Sequence, residues 1–384
     1  MVRTRGLGRA LGCAVGKVMG RRGESDDDVP QRRRPTASAQ APVEKGDADV
    51  EGFPSGSHDT SVLSDFENHI ALSVWNGEER LELKLSFHGR KMTKFGKPAA
   101  EIEGLVVASG LGPLIACSLD TSDHGLMSAF VEHWHKETRS FHLPVGEVTI
   151  TLDDVASLLH FLVLGAFHSF EQLHVDDAVE ILVELLEVSA ADARAETIQC
   201  HGSYVQLSWL RELYELKIEA LFLDALSNLT QSAGYAWGAA ALVHMYDNLN
   251  DVSKSTARQL AGYITLLQTL PVATYRRCLD RLTLDAVCWI SYGDHRSFRE
   301  FKVISLFFGH LRWGPLTVVH RSERVVRQFS YIQAILPHPT VSSLSTTEID
   351  DRWMLFGEHI APVGQLCAVS GHCSPDYLED IYNK

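Results

Sequence analysis

The sequence predicts a mainly α, multi-helix globular domain with a short β-hairpin and minor strands, preceded by a disordered N-terminal arm. Three observations carry that expectation. Apolar residues recur at helical spacing from Asp123 onward; Phe141 to Ile150 alternates around a Pro-x-Gly turn; and residues 1–59 are dominated by charge, Ser, Ala, Pro and Gly. The expected division is a leader at 1–59, a helical domain at 60–340 and a partly ordered C-terminal tail at 341–384.

Composition agrees with a folded chain. Hydrophobic residues make up 45% and charged residues 22%, ordinary values for a globular protein. The net charge of −14 gives no general signal for nucleic-acid binding, so any such contact has to be local and stays open. Seven scattered cysteines, with no secretory signal, read as reduced thiols. No apolar run reaches the roughly 18 residues of a membrane-spanning helix, so no membrane contact is expected.

The leader carries two basic clusters, Arg3 to Arg22 and Arg32-Arg33-Arg34, separated by the acids Glu24 to Asp28. They read either as a nuclear import signal or as solvated charge. Ser73 to Leu85 alternates and predicts a half-exposed strand, and Lys84 to Lys97 places bases among aromatics and glycines in a loop that reads as a phosphate contact or, more readily, as a solvated connection. A helix is expected from about Gly125 to His135, with Leu126, Phe130 and Trp134 on one face. A hairpin follows over Phe141 to Ile150. Thr151 then caps a helix, with Asp154 in the capping-box position. Val175 to Val188 and Leu207 to Leu226 continue the helical theme, and the run from Gly234 to Tyr246 packs aromatic rings among small residues. Later helices are expected from Ser255 or Thr256 through Leu260, over Phe298 to Leu311, and over Glu323 to Ile332 with Arg324 and Arg327 exposed.

Reacting groups are scarce. Phosphate-cradling glycine loops, a Gly-x-Ser-x-Gly elbow and any Cys-x-x-Cys pair are missing from the sequence. His133, His135 and His142, and Cys367 with His372 and Cys373, are the nearest metal-like groupings, and each reads more readily as an ordinary surface or core set. The acid pairs Asp153-Asp154 and Asp176-Asp177 can hold Mg²⁺ in principle, but both fall in first turns of helices, where the dipole already favours acids. Lys254, the one lysine to weigh for a Schiff base, sits in a polar, cap-rich turn with no desolvating surroundings, so a transaminase role is not expected.

Several blocks together resemble one family. They are Gly110 to Leu114, Leu126 to Trp134, Thr138 to Leu159 (TRSFHLPVGEVTITLDDVASLL), Tyr235 to Tyr246 (YAWGAAALVHMY), Gln259 to Gln268, Tyr275 to Tyr292 and Glu323 to Pro339 (ERVVRQFSYIQAILPHP). They are similar to the plant mobile domain family, the Maintenance-of-Meristems-like proteins, and span roughly Leu85 to His359 in the family's order. The positions matching its motifs are Trp134, Phe141, His142, Leu143, Pro144, Gly146, Glu147, Asp154, Tyr235, Trp237, Gly238, Arg324 and Gln328, expected to serve structure or interaction.

The resemblance implies a non-enzymatic nuclear protein tied to transposable elements, active in transposon silencing, genome stability and meristem maintenance through chromatin or protein partners. It implies no cofactor, metal, catalytic residue or small-molecule substrate. Although the family is sometimes labelled aminotransferase-like, no matching cofactor lysine stands here. The alternatives are a transposase- or nuclease-like Mg²⁺ enzyme and a decayed, inactive transposon-derived copy. The latter follows from a departure: Ile218-Glu219-Ala220 abuts Leu221-Phe222-Leu223, where the family carries a further helical stretch.

Overall fold

Trp237 to Val252 form a 16-residue helix about which the other elements pack. Its first turns are buried on all sides because Gly238, Ala239, Ala240 and Ala241 let neighbouring backbones come close. Gly238 shows how close. Its N–H donates to Leu162 O at 2.9 Å, and a Cβ placed there would stand 2.7 Å from Val163 Cγ1. Gly238→Ala is therefore expected to lower stability by about 1–3 kcal/mol through overpacking. Helix propensity alone would raise it by about 1 kcal/mol, so the direction of the shift in a urea unfolding curve decides.

The structure, a computed structural model, describes residues 66–76, 83–85, 124–169, 174–186, 188–200, 234–256, 259–260, 303–334 and 343–363, with a few shorter pieces. About half of these residues are helical, and strands form small sheets of two or three. The N-terminal arm, the basic loop beyond Leu85, most of the helix expected over Leu207 to Leu226, and Cys367, His372 and Cys373 lie outside the described residues.

Taken in chain order, α1 (Ile70–Trp75) opens where His69 Nδ1 accepts a hydrogen bond from Ala71 N at 3.1 Å. Ser73 and Val74 are thus helical. Of the strand expected over Ser73 to Leu85, the described residues show β1 (Lys84–Leu85), while the capping imidazole commits the turn through Trp75 to helix. Next, α2 (His124–His133) ends two residues before His135, since Trp134 and His135 are drawn off as β2 to pair with Phe141 and Ser140. The hairpin is as expected: β3 (Ser140–Leu143) and β4 (Gly146–Val148) run antiparallel around Pro144-Val145, and Gly146 takes the turn's φ of 112°. Thr151 caps α3 (Leu152–Leu158), its N–H donating to Asp154 Oδ2 at 2.8 Å while its Oγ1 accepts from Asp154 N at 3.2 Å.

α4 (Val175–Leu186) matches its periodicity. The following α5 (Ala190–Gln199) had no apolar stripe to announce it; Ser189 starts it by capping Asp192 N, and the two helices share a small core of Val179, Leu182, Ala193 and Val205. The central helix is α6 (Trp237–Val252). Beyond it, β5 (Gln259–Leu260) pairs in parallel with β1, so at these two residues the expected helix gives way to strand pairing.

Two further expectations are corrected. Of the helix expected over Phe298 to Leu311, the described part from Val303 on is instead a 3-10 turn at Val303–Leu306 leading into β6 (Phe308–Trp313), which pairs with β7 (Leu316–Arg321) across Gly314-Pro315. A short apolar-rich run does not distinguish strand from helix, and the β-branched Thr317, Val318 and Val319 supply the partner strand. Glu323 to Ile332 likewise is not an α-helix but a kinked 3-10 segment, Ser322–Phe329, broken at Val325. Finally α7 (Thr346–Met354), capped by Ser345 and Glu348, sends Ile349 and Trp353 into the core that α6 organises. Among the described residues no helix is long and apolar enough to cross a membrane.

Candidate functional site

Most of the family-motif side chains meet where the β3–β4 hairpin touches the segment after β7. Glu147 stands on β4 opposite His142. Arg324 grips it with two prongs, Nε donating to Oε2 at 2.7 Å and Nη2 to Oε1, while Ser140 Oγ donates to Oε2 at 2.7 Å. Gln328 behaves like an added peptide unit. Its Oε1 accepts from Thr149 N at 2.8 Å and its Nε2 donates to Thr149 O at 2.9 Å. Arg327 completes the clamp, donating to Val145 O at 2.8 Å with its guanidinium 4.2 Å over the Trp289 ring. Arg324 and Arg327 are therefore inside, not exposed as a solvated helix would leave them; Arg327 is 3% exposed. Burial pushes the Glu147 carboxyl up, but the Arg324 hydrogen bond and the charges of His142 and Arg324 outweigh it and hold the group below the usual range.

His142 Nε2 lies 2.8 Å from Thr138 Oγ1 and 4.0 Å from Glu147 Oε2. Hydroxyl and carboxylate thus address the same ring nitrogen, whereas a nucleophile–base–acid relay needs opposite ones. The bracket braces the hairpin. His142 stacks toward His135 at 4.3 Å between ring centres, and His135 on His69 at 4.7 Å. His133 turns away from them, Nδ1 donating to Ala129 O at 2.6 Å and Nε2 lying 3.3 Å from Asp280 Oδ1. Among the described residues no three His, Cys, Asp or Glu side chains are placed to hold a metal ion.

Behind the hairpin lies α6. Trp134 Nε1 donates to Asn250 Oδ1 at 3.0 Å, and its ring meets Phe141 edge-on at 4.9 Å and Tyr246 at 5.0 Å. The Tyr246 hydroxyl donates to Ile150 O at 2.7 Å and lies 2.8 Å from Thr149 Oγ1. Burial raises this phenol well above its ordinary value. Tyr246→Phe is expected to cost about 1–3 kcal/mol, the penalty for stranding a buried carbonyl, read as a lower urea midpoint at unchanged slope.

At the other end of α6, Ala166 N–H donates to Gly234 O at 3.0 Å and Ala236 N–H to Ala166 O at 2.9 Å. This places Tyr235 edge-on to both Trp237 and Trp313, at 6.2 Å each, with Trp237 and Trp313 4.9 Å apart. Beside them is Arg312, which the sequence reading missed: it is 2% exposed and pairs with Asp350 through Nε at 2.6 Å and Nη2 at 2.5 Å. Its signal was a single charge inside the apolar run Phe308 to Trp313.

The motif positions thus form two groups. Trp134, Phe141, His142, Leu143, Pro144, Gly146, Glu147, Arg324 and Gln328 gather at the hairpin; Tyr235, Trp237 and Gly238 sit at the start of α6; Asp154, apart from both, completes the Thr151 capping box of α3. As for the acid pairs, Asp154 is committed to Thr151, and Asp176 pairs with Arg194 at 2.8 Å on an exposed surface. Lys254 is exposed and 2.6 Å from Asp251.

Residues 110–224 match the family model of the plant mobile domain. This chain carries a plant mobile domain. Among curated proteins it is 30% identical to Protein MAIN-LIKE 2 of Arabidopsis thaliana over 54% of this chain and 35% of that one. It is 30% identical to Protein MAIN-LIKE 1 of the same plant over 56% of this chain and 48% of that one. Protein MAINTENANCE OF MERISTEMS, also from Arabidopsis thaliana, is 25% identical over 71% of each chain. The chain spans between a third and a half of the length of the two MAIN-LIKE relatives. No solved structure shows a significant match. Tyr235, Trp237, Gly238, Arg324 and Gln328 lie beyond the matched segment, and their contacts tie the plant mobile domain match to the later chain: Gln328 to Thr149, Arg324 to Glu147, Gly238 to Leu162.

Proposed function

We propose that this plant mobile domain protein is a non-enzymatic nuclear protein that presents a surface to protein or chromatin partners, in transposon silencing, genome stability and meristem maintenance. The observation that carries this reading is the inward turn of the motif side chains. Glu147 is held by Arg324, Thr149 by Gln328 and Thr151 by Asp154, so the motif builds the fold and recognition falls to the surface. The similarity to a relative named for meristem maintenance supports the biological setting. The basic clusters of the arm supply an import address. In this reading the complete domain keeps the mainly helical build expected from its periodicity.

The test is a fluorescent fusion of the full chain in plant cells, followed by affinity purification from nuclei. The expected result is nuclear signal that drops when Arg32, Arg33 and Arg34 are changed to Ala, and recovery of defined nuclear proteins. A cytosolic signal with no nuclear partner sinks the reading. So does Mg²⁺-dependent DNA cleavage that vanishes on Asp153→Asn or Asp176→Asn, which would establish the enzymatic alternative.

A further inference from the structure

Single exposed apolar side chains are ordinary, but several on one face ask for a partner. Leu164, Phe308, Met354 and Leu355 are 39%, 40%, 64% and 54% exposed, and they fall on three segments stitched together around Trp353. Trp353 Nε1 donates to Gly165 O at 2.7 Å, and its ring packs on Phe167 at 4.8 Å and edge-on to Phe307 at 5.2 Å. Along β6, Leu311 and Trp313 enter the core, so Phe308, His310 and Arg312 take the opposite face. α7 crosses that face. Asp350 sits on Arg312, and farther along His359 O accepts from Phe308 N at 2.9 Å, so Met354 and Leu355 emerge between these two anchor points.

The rim of this face is acidic. Glu348, Asp351 and Glu358 are exposed, against one exposed Arg352, while Asp350 is neutralised by Arg312. His310 and His359 are half-buried beside it, and burial, reinforced by Arg352, holds the His310 imidazole below its usual value. A second copy of the chain would bring the same acids against themselves, on a molecule whose net charge is −14.

We infer that this face docks an amphipathic, Lys/Arg-flanked segment of a different protein. Its apolar side chains seat on Phe308, Met354, Leu355 and Leu164, and its basic flanks meet Glu348, Asp351 and Glu358. The inference rests on the presenting-surface reading above and names the kind of partner that surface takes.

The probe is a synthetic helical peptide with a leucine stripe flanked by lysines, compared with a twin carrying glutamates in their place, each titrated against the full chain by fluorescence anisotropy. The lysine peptide is expected to bind with an affinity that falls as salt rises, and the glutamate twin at least about tenfold more weakly. Met354→Asp with Leu355→Asp should weaken the lysine peptide by about tenfold or more, with an unchanged melting curve because both side chains already face water. Asp351→Lys with Glu358→Lys should shift the preference toward the glutamate twin. Equal binding of both peptides, binding untouched by either pair of changes, or no binding to a cooperatively melting protein overturns the inference. A concentration-dependent dimer in sedimentation, dissolved by the Met354/Leu355 changes, overturns it in favour of self-association. None of these outcomes disturbs the nuclear fusion result, so the two readings fail separately.

Discussion

Arg324→Met will destabilise the protein by about 3 kcal/mol at pH 7, the lower end of the cost of breaking a buried ion pair, because Glu147 keeps 20% of its side chain in water. The loss comes chiefly from the carboxylate left behind. Burial alone pushes Glu147 up, and with Arg324 gone its strongest hydrogen bond and one of two opposing charges are lost, leaving the His142 charge and the Ser140 hydrogen bond to oppose it. Adding Glu147→Gln should therefore recover most of the stability, since a neutral amide still accepts from Ser140 and carries no stranded charge. In the native protein the Glu147 pKa is depressed, so its contribution is present above the ordinary glutamate value of 4.5 and is lost as pH falls below it. Urea unfolding of the single and double variants measures the effect; a double variant no better than the single one would show that the clamp acts through packing and not through charge.

Mild acid should weaken the fold through its buried imidazoles. Burial holds His69 and His320 down to about 4 from an ordinary 6.5. Both are neutral when folded. His69 donates Nε2–H to Trp134 O at 2.7 Å and accepts from Ala71 N, while His320 donates Nδ1–H to Phe307 O at 2.7 Å. An imidazole depressed in the folded state binds its proton more readily when unfolded, so stability is full above about pH 6.5 and declines as pH drops toward 4. Each group accounts for about 3 kcal/mol by pH 4, a large part of a typical total of about 5–15 kcal/mol. His135, packed against His69, and His142, packed against His135, are also depressed by burial and add to the slope. His320→Asn, which keeps a donor near Phe307 O, should flatten unfolding free energy against pH between 6.5 and 5. A profile as steep in that variant as in the parent would remove His320 from the account.

What the sequence disclosed follows from which signals are local. The capping box of Thr151 and Asp154, the Pro144-Val145 turn and the helix after Gly234 each depend on neighbours within a few positions, and each is where periodicity and cap chemistry put it. The failures depend on distant partners. Phe308 to Trp313 is a strand only because Leu316 to Arg321 folds back on it, and Arg324 and Arg327 leave solvent only because Glu147, Val145 and Trp289 lie across the chain. Helix α5 went unannounced because Ala190 to Gln199 has few large apolar residues. Of the site, the family resemblance marked Glu147, Arg324 and Gln328 without saying that they meet. Arg312 lay outside every quoted motif block.

Hairpin, clamp and α6 form one cooperative body. Trp134, Trp237, Trp289, Trp313 and Trp353 all lie in its core, so tryptophan fluorescence reports its packing while far-ultraviolet circular dichroism reports its helices. Urea unfolding of the purified full chain followed by both signals should give coincident, single sigmoidal transitions. A fluorescence change spread over the whole denaturant range, or one that precedes the loss of helix, would contradict it.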